Sequence, residues 1–201
     1  MAKVTLENLN KIFVSKIGKD VKAVNDFNLL LEDGEILALL GSSGCGKTTT
    51  LRMIAGFETA TSGQIKIGER IVNDLKPADR NVAMAFEGYA LYPPLTVKDN
   101  IAFSLMREKI SKDKVDSKVM EVAELLEITD ILERYPPSIS GGQQQRVSLA
   151  RALVRDSDAL LLDEPMSQLE PQLRAVLRAR VKDYIQHNNC LLYTSDAADE
   201  E

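Results

Sequence analysis

The chain has 201 residues, 44% of them hydrophobic, 5% aromatic and 27% charged, with 25 basic against 30 acidic side chains and a formal net charge of −5. Such a chain is long enough to bury a core, and its few Gly and Pro residues exclude collagen-like, low-complexity and disordered classes. The mild acidity argues against a protein built to neutralise nucleic-acid phosphate, two cysteines cannot make a disulfide framework, and no apolar run approaches the roughly 20 residues that span a bilayer.

No apolar leader region precedes the first predicted strand, so a cytoplasmic protein is expected. Residues 3–13 alternate apolar and polar at Val4, Leu6 and Leu9, which predicts an edge-type strand. A second strand is predicted over Ala23–Leu31, followed by a turn at Glu32-Asp33-Gly34. Glu35–Leu40 is a continuous apolar run, the pattern of a strand buried on both faces of a parallel sheet. The glycine-rich Gly41–Gly46 leads into a predicted helix over Lys47–Ala55, closed by Gly56. Short strands are predicted at Gln64–Ile67 and Val82–Phe86. Thr96 and Asp99 form a capping pair for a helix running to Met106. Val115, Val119, Val122 and Leu126 repeat at helical spacing, and Pro136-Pro137 ends this mostly helical region. A helix over Gly142–Val154, a buried strand at Ala159–Leu162 and a helix marked by Leu173, Val176, Leu177, Val181 and Tyr184 complete the reading. The sum is an α/β chain with a parallel-sheet core and a helical insertion.

Gly41-Ser42-Ser43-Gly44-Cys45-Gly46-Lys47-Thr48 fits G-x-x-x-x-G-K-[ST] without a mismatch, between a predicted buried strand and a helix. Such a loop turns successive N–H groups and a helix N-terminus towards an anion. Lys47 is then placed to reach the β- and γ-phosphates of ATP, and the Thr48 hydroxyl to ligate Mg²⁺, with Thr49 next in the same turn. The run ALLLDEP at Ala159–Pro165 delivers Asp163 at a strand end, where it can hold the Mg²⁺ shell, and Glu164, which can act as general base on the attacking water.

Ile139-Ser140-Gly141-Gly142-Gln143 lies between these two motifs. With it the sequence resembles the ATP-binding cassette (ABC) family from about Val4 to Tyr184. The resemblance implies a P-loop NTPase core with an N-terminal antiparallel β subdomain and a helical subdomain at about 88–138. It implies that Ser140, Gly141, Gly142 and Gln143 cradle the γ-phosphate of ATP held by the opposite subunit of a homodimer or paralogous heterodimer, with Arg146 and Arg151 on the helix behind. It further implies that Phe13 stacks on adenine. Glu87 stands where the family usually has Gln; it keeps an oxygen for Mg²⁺ or water but loses the amide donor. Glu170 stands where the family usually has Asp.

EGYALYPPLTVKDN at Glu87–Asn100 and LRMIAGFETATSGQIKIG at 51–68 resemble the carbohydrate-importer branch. This implies permease partners, a groove near Tyr89, Leu91, Tyr92 and Pro93 for a coupling helix, peripheral and indirect attachment to the cytoplasmic face of the inner membrane, and no nucleic-acid partner. Repair-type ATPases of the family need coiled-coil or zinc-binding insertions, for which the spacing from Gly41 to Ser140 leaves no room. Translation-type cassettes carry two such domains in one chain. A non-transport ATPase of either type is thus the alternative.

The resemblance also calls for a switch histidine after the next strand, but the single histidine, His187, precedes that point and reads as a surface residue. The closing stretch CLLYTSDAADE at Cys190–Glu200 resembles a reading frame of a transposase-type sequencing adapter. Residues 1–189 are accordingly expected to be the cassette domain and 190–201 a non-native tail, leaving a chain that binds nucleotide with negligible turnover. Four of the acids, Asp196, Asp199, Glu200 and Glu201, lie in that tail with no base, so most of the net charge resides there.

Overall fold

The computed structural model describes residues 2–15, 18–86, 88, 90–106, 110–186 and 191–195. In chain order the elements are β1 (Val4–Phe13), β2 (Val21–Leu31), β3 (Ile36–Leu40), α1 (Lys47–Ala55), β4 (Ser62–Ile67), β5 (Arg70–Ile71), β6 (Val82–Ala85), α2 (Val97–Phe103), α3 (Lys112–Leu125), α4 (Gly141–Leu153), β7 (Ala159–Asp163), α5 (Pro171–Gln186) and β8 (Leu191–Ser195). The chain divides into two units, one of Met1–Met84, Ser157–Asp163 and Gln186–Glu201, the other of Ala85–Asp156 and Glu164–Ile185.

In the first unit β1 lies between β2 and β4, antiparallel to both, and β5 extends the sheet beyond β4. Val4 and Leu6 alternate inward as predicted, yet Leu9, an odd step further on, is also fully buried. A bulge reconciles the two: Asn8 takes a φ of 47°, the register shifts between Leu6 and Leu9, and the extra residue resets the alternation. The Asn28 side chain accepts a hydrogen bond from the displaced Asn8 amide at 2.7 Å.

The second sheet has the order β3-β8-β7-β6, with β8 parallel to both β3 and β7. Residues Leu191–Ser195, inside the segment read as a tail, form this strand. All of β7 is buried, as its apolar run requires. β3 departs from the expectation of burial on both faces: its residues are half-buried and Leu40 is 53% exposed, because β3 is an edge strand of the described sheet. α1 packs Leu51, Met53 and Ile54 into one core with Leu6, Leu9, Ile65 and Leu161. At the C-terminal end of α1 the buried Arg80 guanidinium donates to the carbonyls of Met53 at 2.7 Å, Ile54 at 2.9 Å, Leu75 at 2.9 Å and Asn73 at 3.0 Å.

In the second unit Thr96 caps α2, accepting from the Asp99 amide at 3.1 Å as the capping pair predicts, though the helix stops at Phe103 rather than Met106. Ile101, Val119, Val122, Leu126, Val147 and Leu149 are buried among α2, α3 and α4. Asn100, fully buried, ties down the preceding turn by accepting from the Tyr92 amide and donating to the carbonyls of Tyr92, Leu95 and Thr96. On α5 the buried stripe is Leu177, Val181 and Ile185 at four-residue steps, and Val176 faces outward. Among the described residues no helix is long and apolar enough to cross a membrane.

Candidate functional site

The glycine-rich loop leaves β3 and enters α1 without a side-chain cap. Gly46, the residue before the helix, has a φ of 99°, and a Cβ there would run into the Ala23 carbonyl oxygen, so only glycine fits. Ser42, Ser43, Gly44 and Cys45 are exposed, while Lys47 behind them is buried. The Lys47 ammonium donates to the carbonyl of Gly41, and to that of Ser42 at 3.2 Å, so the charge is folded across its own loop. Thr49 is half-buried within α1. At the end of β7, Asp163 is 3% exposed, and its Oδ1 accepts the Thr48 hydroxyl at 2.9 Å. Two motifs remote in sequence thus meet in one hydrogen bond, and a carboxylate and a hydroxyl at the start of a helix suit a hard cation beside an anion.

Phe13, at the end of β1, is 41% exposed rather than part of the core. The Lys11 ammonium stands over its ring, 4.8 Å from the centroid. Lys11 also holds Glu58, whose carboxyl lies below the usual carboxylate range chiefly because of that hydrogen bond.

In the second unit Ser140, Gly141, Gly142 and Gln143 open α4 through a reciprocal capping box. The Gln143 amide donates to Ser140 Oγ at 3.3 Å, and the Ser140 amide donates to Gln143 Oε1 at 2.9 Å. The Gly141 and Gly142 amides begin the helix and have no intrahelical acceptor. A Cβ on Gly142 would lie 3.3 Å from the Leu169 side chain.

Glu164, the residue after β7, has a φ of 47°. Its carbonyl accepts from Gln145 Nε2 at 3.1 Å. Gln145 is buried, donates also to Ser167 Oγ at 3.1 Å, and accepts from the Gln168 amide at 3.0 Å. Glu170 immediately precedes α5, its carbonyl accepting from the Arg174 amide at 2.9 Å.

Arg146 and Arg151 lie on α4, behind the glycines as expected, and are held by main-chain carbonyls. Arg146 donates to the carbonyls of Leu126 and Glu127, closing α3. Arg151 donates to the Ala90 carbonyl and lies 5.0 Å over the Tyr92 ring, and burial lowers its pKa. Tyr92 in turn meets Phe103 at 4.6 Å, both partly exposed. Glu87, Tyr89, His187 and Cys190 lie outside the described residues. Sequence reasoning passed over Lys11 and Gln145. The first could be found from its place two residues before Phe13 on the same strand face, whereas nothing local marks the second.

The sequence profile described as ABC transporter matches residues 24–167. The chain is 46% identical over 182 residues to the sn-glycerol-3-phosphate import ATP-binding protein UgpC of Brucella abortus (strain 2308), covering 90% of this chain and 51% of the relative. It is 50% identical over 188 residues to the trehalose/maltose import ATP-binding protein MalK of Thermococcus litoralis, covering 90% and 49%. The chain spans about half the length of these curated relatives. Among solved structures, the dimeric bacterial ABC transporter cassette MJ0796 superposes with a TM-score of 0.87 at 25% identity, covering 96% of this chain and 87% of that one. With the family profile covering well over half of the sequence, and the phosphate loop and the Thr48–Asp163 pair inside it, the chain belongs to the ABC transporter family.

Proposed function

We propose that this chain is the ATP-binding cassette of the ATP-hydrolysing subunit that energises an importer for sugars, polyols or their phosphates. The observation that carries the reading is the hydrogen bond from Thr48 in the phosphate loop to the strand-end Asp163, which prepares one hydroxyl and one carboxylate for a single small cation. ATP and Mg²⁺ fit the residues present. Lys47 and the loop Gly41–Gly46 would hold the phosphates, Thr48 and Asp163 the metal, and Phe13 the base. MgATP supplies the phosphoanhydride bond whose cleavage drives transport. Glu164 would accept the proton of the attacking water, and the family resemblance implies that Glu87 would offer a further oxygen to metal or water. Ser140, Gly141, Gly142 and Gln143 complete the site of a second cassette, in a dimer that closes on nucleotide and opens after hydrolysis.

The importer assignment is supported by the printed names of the relatives, which cover glycerol phosphate and disaccharide import. The dimer is supported by the cassette whose structure is described as dimeric. Permease subunits would receive the domain at the turn around Tyr92, within the helical subdomain at about 88–138, and hold it at the cytoplasmic face of the membrane.

Calorimetric titration with MgATP tests the nucleotide site. Lys47→Ala should abolish measurable binding, and Asp163→Asn should weaken binding only when Mg²⁺ is present; equal binding by all three proteins refutes the site. In an importer assembled with permease subunits, solute uptake should require ATP, and Glu164→Gln should stop phosphate release. Genomic sequence across codons 189 and 190 tests the tail: native DNA encoding CLLYTSDAADE refutes its foreign origin.

A further inference from the structure

Outside the phosphate loop, a fixed cation stands over an exposed aromatic ring. Lys11 and Phe13 are two residues apart on β1 and project from the same face. The Lys11 ammonium lies 4.8 Å from the Phe13 centroid and donates to Glu58 Oε1 at 2.7 Å and to the Thr59 carbonyl at 2.7 Å. The Lys11 side chain is 12% exposed, against 41% for Phe13, so the ammonium is the seated partner and the ring the offered one. Two more bonds stitch this strand end to the segment that follows α1. The Ile12 amide donates to Thr61 Oγ1 at 2.9 Å, and the Thr61 amide donates to the Asn10 carbonyl at 2.8 Å. Glu58 and Thr59 thus fix the ammonium, and the ammonium fixes the plane of the ring.

We infer that Lys11 is a positioning residue for the nucleobase: it holds Phe13 in the orientation that stacks on a purine, with Glu58 as its anchor. The inference rests on the reading of Phe13 as the adenine platform. A ring already immobilised loses less conformational freedom when a base settles on it, and a cation on one face adds to the attraction that fixes it. The contribution belongs to the base and not to the phosphates, which are held by a different loop.

The distinction sets the test. MgATP and magnesium tripolyphosphate are titrated calorimetrically into the full chain; the second ligand carries the phosphates without a base. Lys11→Met should weaken ATP binding by about three- to tenfold and leave tripolyphosphate unchanged, and Lys11→Arg, which keeps a cation over the ring, should restore most of the loss. Glu58→Gln should fall between Lys11→Met and the unaltered chain. ATP binding unchanged in Lys11→Met overturns the inference, and so does an equal loss for both ligands, which marks Lys11 as a residue of the fold alone. Phe13→Ala separates the two layers of argument. If it leaves ATP binding intact, the platform reading itself fails; if it weakens ATP while Lys11→Met does not, only the role of Lys11 falls.

Discussion

Arg80 offers the most quantitative test of the fold. Its guanidinium is 4% exposed and donates to four main-chain carbonyls, two of them, Met53 and Ile54, at the C-terminal end of α1. Burial lowers its pKa, opposed by Asp74, so the charge is held at some desolvation cost. Arg80→Met keeps an unbranched apolar stem and removes every donor. Hydrogen bonds from a charged group contribute about 1.5–3 kcal/mol each, so the gross loss exceeds 6 kcal/mol by that scale. Two effects reduce it: the desolvation cost disappears, and the Met53 carbonyl keeps the Gly56 amide at 3.2 Å. A net destabilisation of about 3 kcal/mol remains, which for a chain of this size lowers the melting temperature by roughly 6–12 °C. Urea unfolding with an unchanged m value, followed by thermal unfolding, measures it. Arg80→Lys, a point charge without the fork, should recover less than half. A loss below about 1 kcal/mol for Arg80→Met, or full recovery with lysine, would refute the claim that the fork ties off α1.

Three further outcomes follow from geometry already given. Gln145→Leu removes two donors and one acceptor from a buried site and should destabilise the chain by about 2–4 kcal/mol in urea; a change under about 1 kcal/mol would sink the network. Gly142→Ala sets a tight contact 3.3 Å from a leucine methyl against better helix propensity, and the unfolding free energy should stay within about 1 kcal/mol of the original; a loss above about 2 kcal/mol would show that Leu169 cannot give way. Burial pushes the Tyr184 phenol up to about 12, with Glu121 and Asp156 adding to the effect. The folded chain therefore keeps this proton longer than the unfolded one, so stability is intact below the unfolded value near about 10 and declines as pH rises from there. Tyr184→Phe should flatten that alkaline decline in urea midpoints, and parallel curves for the two proteins would count against the shift.

The phosphate loop was legible because its determinants are contiguous: Gly41–Thr48 specify the turn, and the apolar run before it with the helix after it specify the context. α1 and its closing glycine were legible for the same reason. Asp163 was legible as a motif but its bond to Thr48 was not, since sequence gives no distance between remote strand ends. β5 escaped because Arg70–Ile71 is too short to show a period, and the phase break at Leu9 needs the bulge at Asn8 to make sense. Arg146 and Arg151 were legible as residues of the helix behind the glycines, but their main-chain acceptors were not. The same blindness hid Arg80, Gln145 and Lys11, whose partners are mostly carbonyls and amides that any residue could supply.

The reciprocal cap at the start of α4 has one more consequence. Ser140 serves the helix with a lone pair, accepting from the Gln143 amide, and a hydroxyl that accepts still has its proton to give. In the proposed cradle, holding the helix and meeting an anion would thus be separable duties for opposite ends of one O–H group. Aspartate at this position would terminate the helix as well as serine does, yet it would meet an incoming phosphate with a negative charge and no proton.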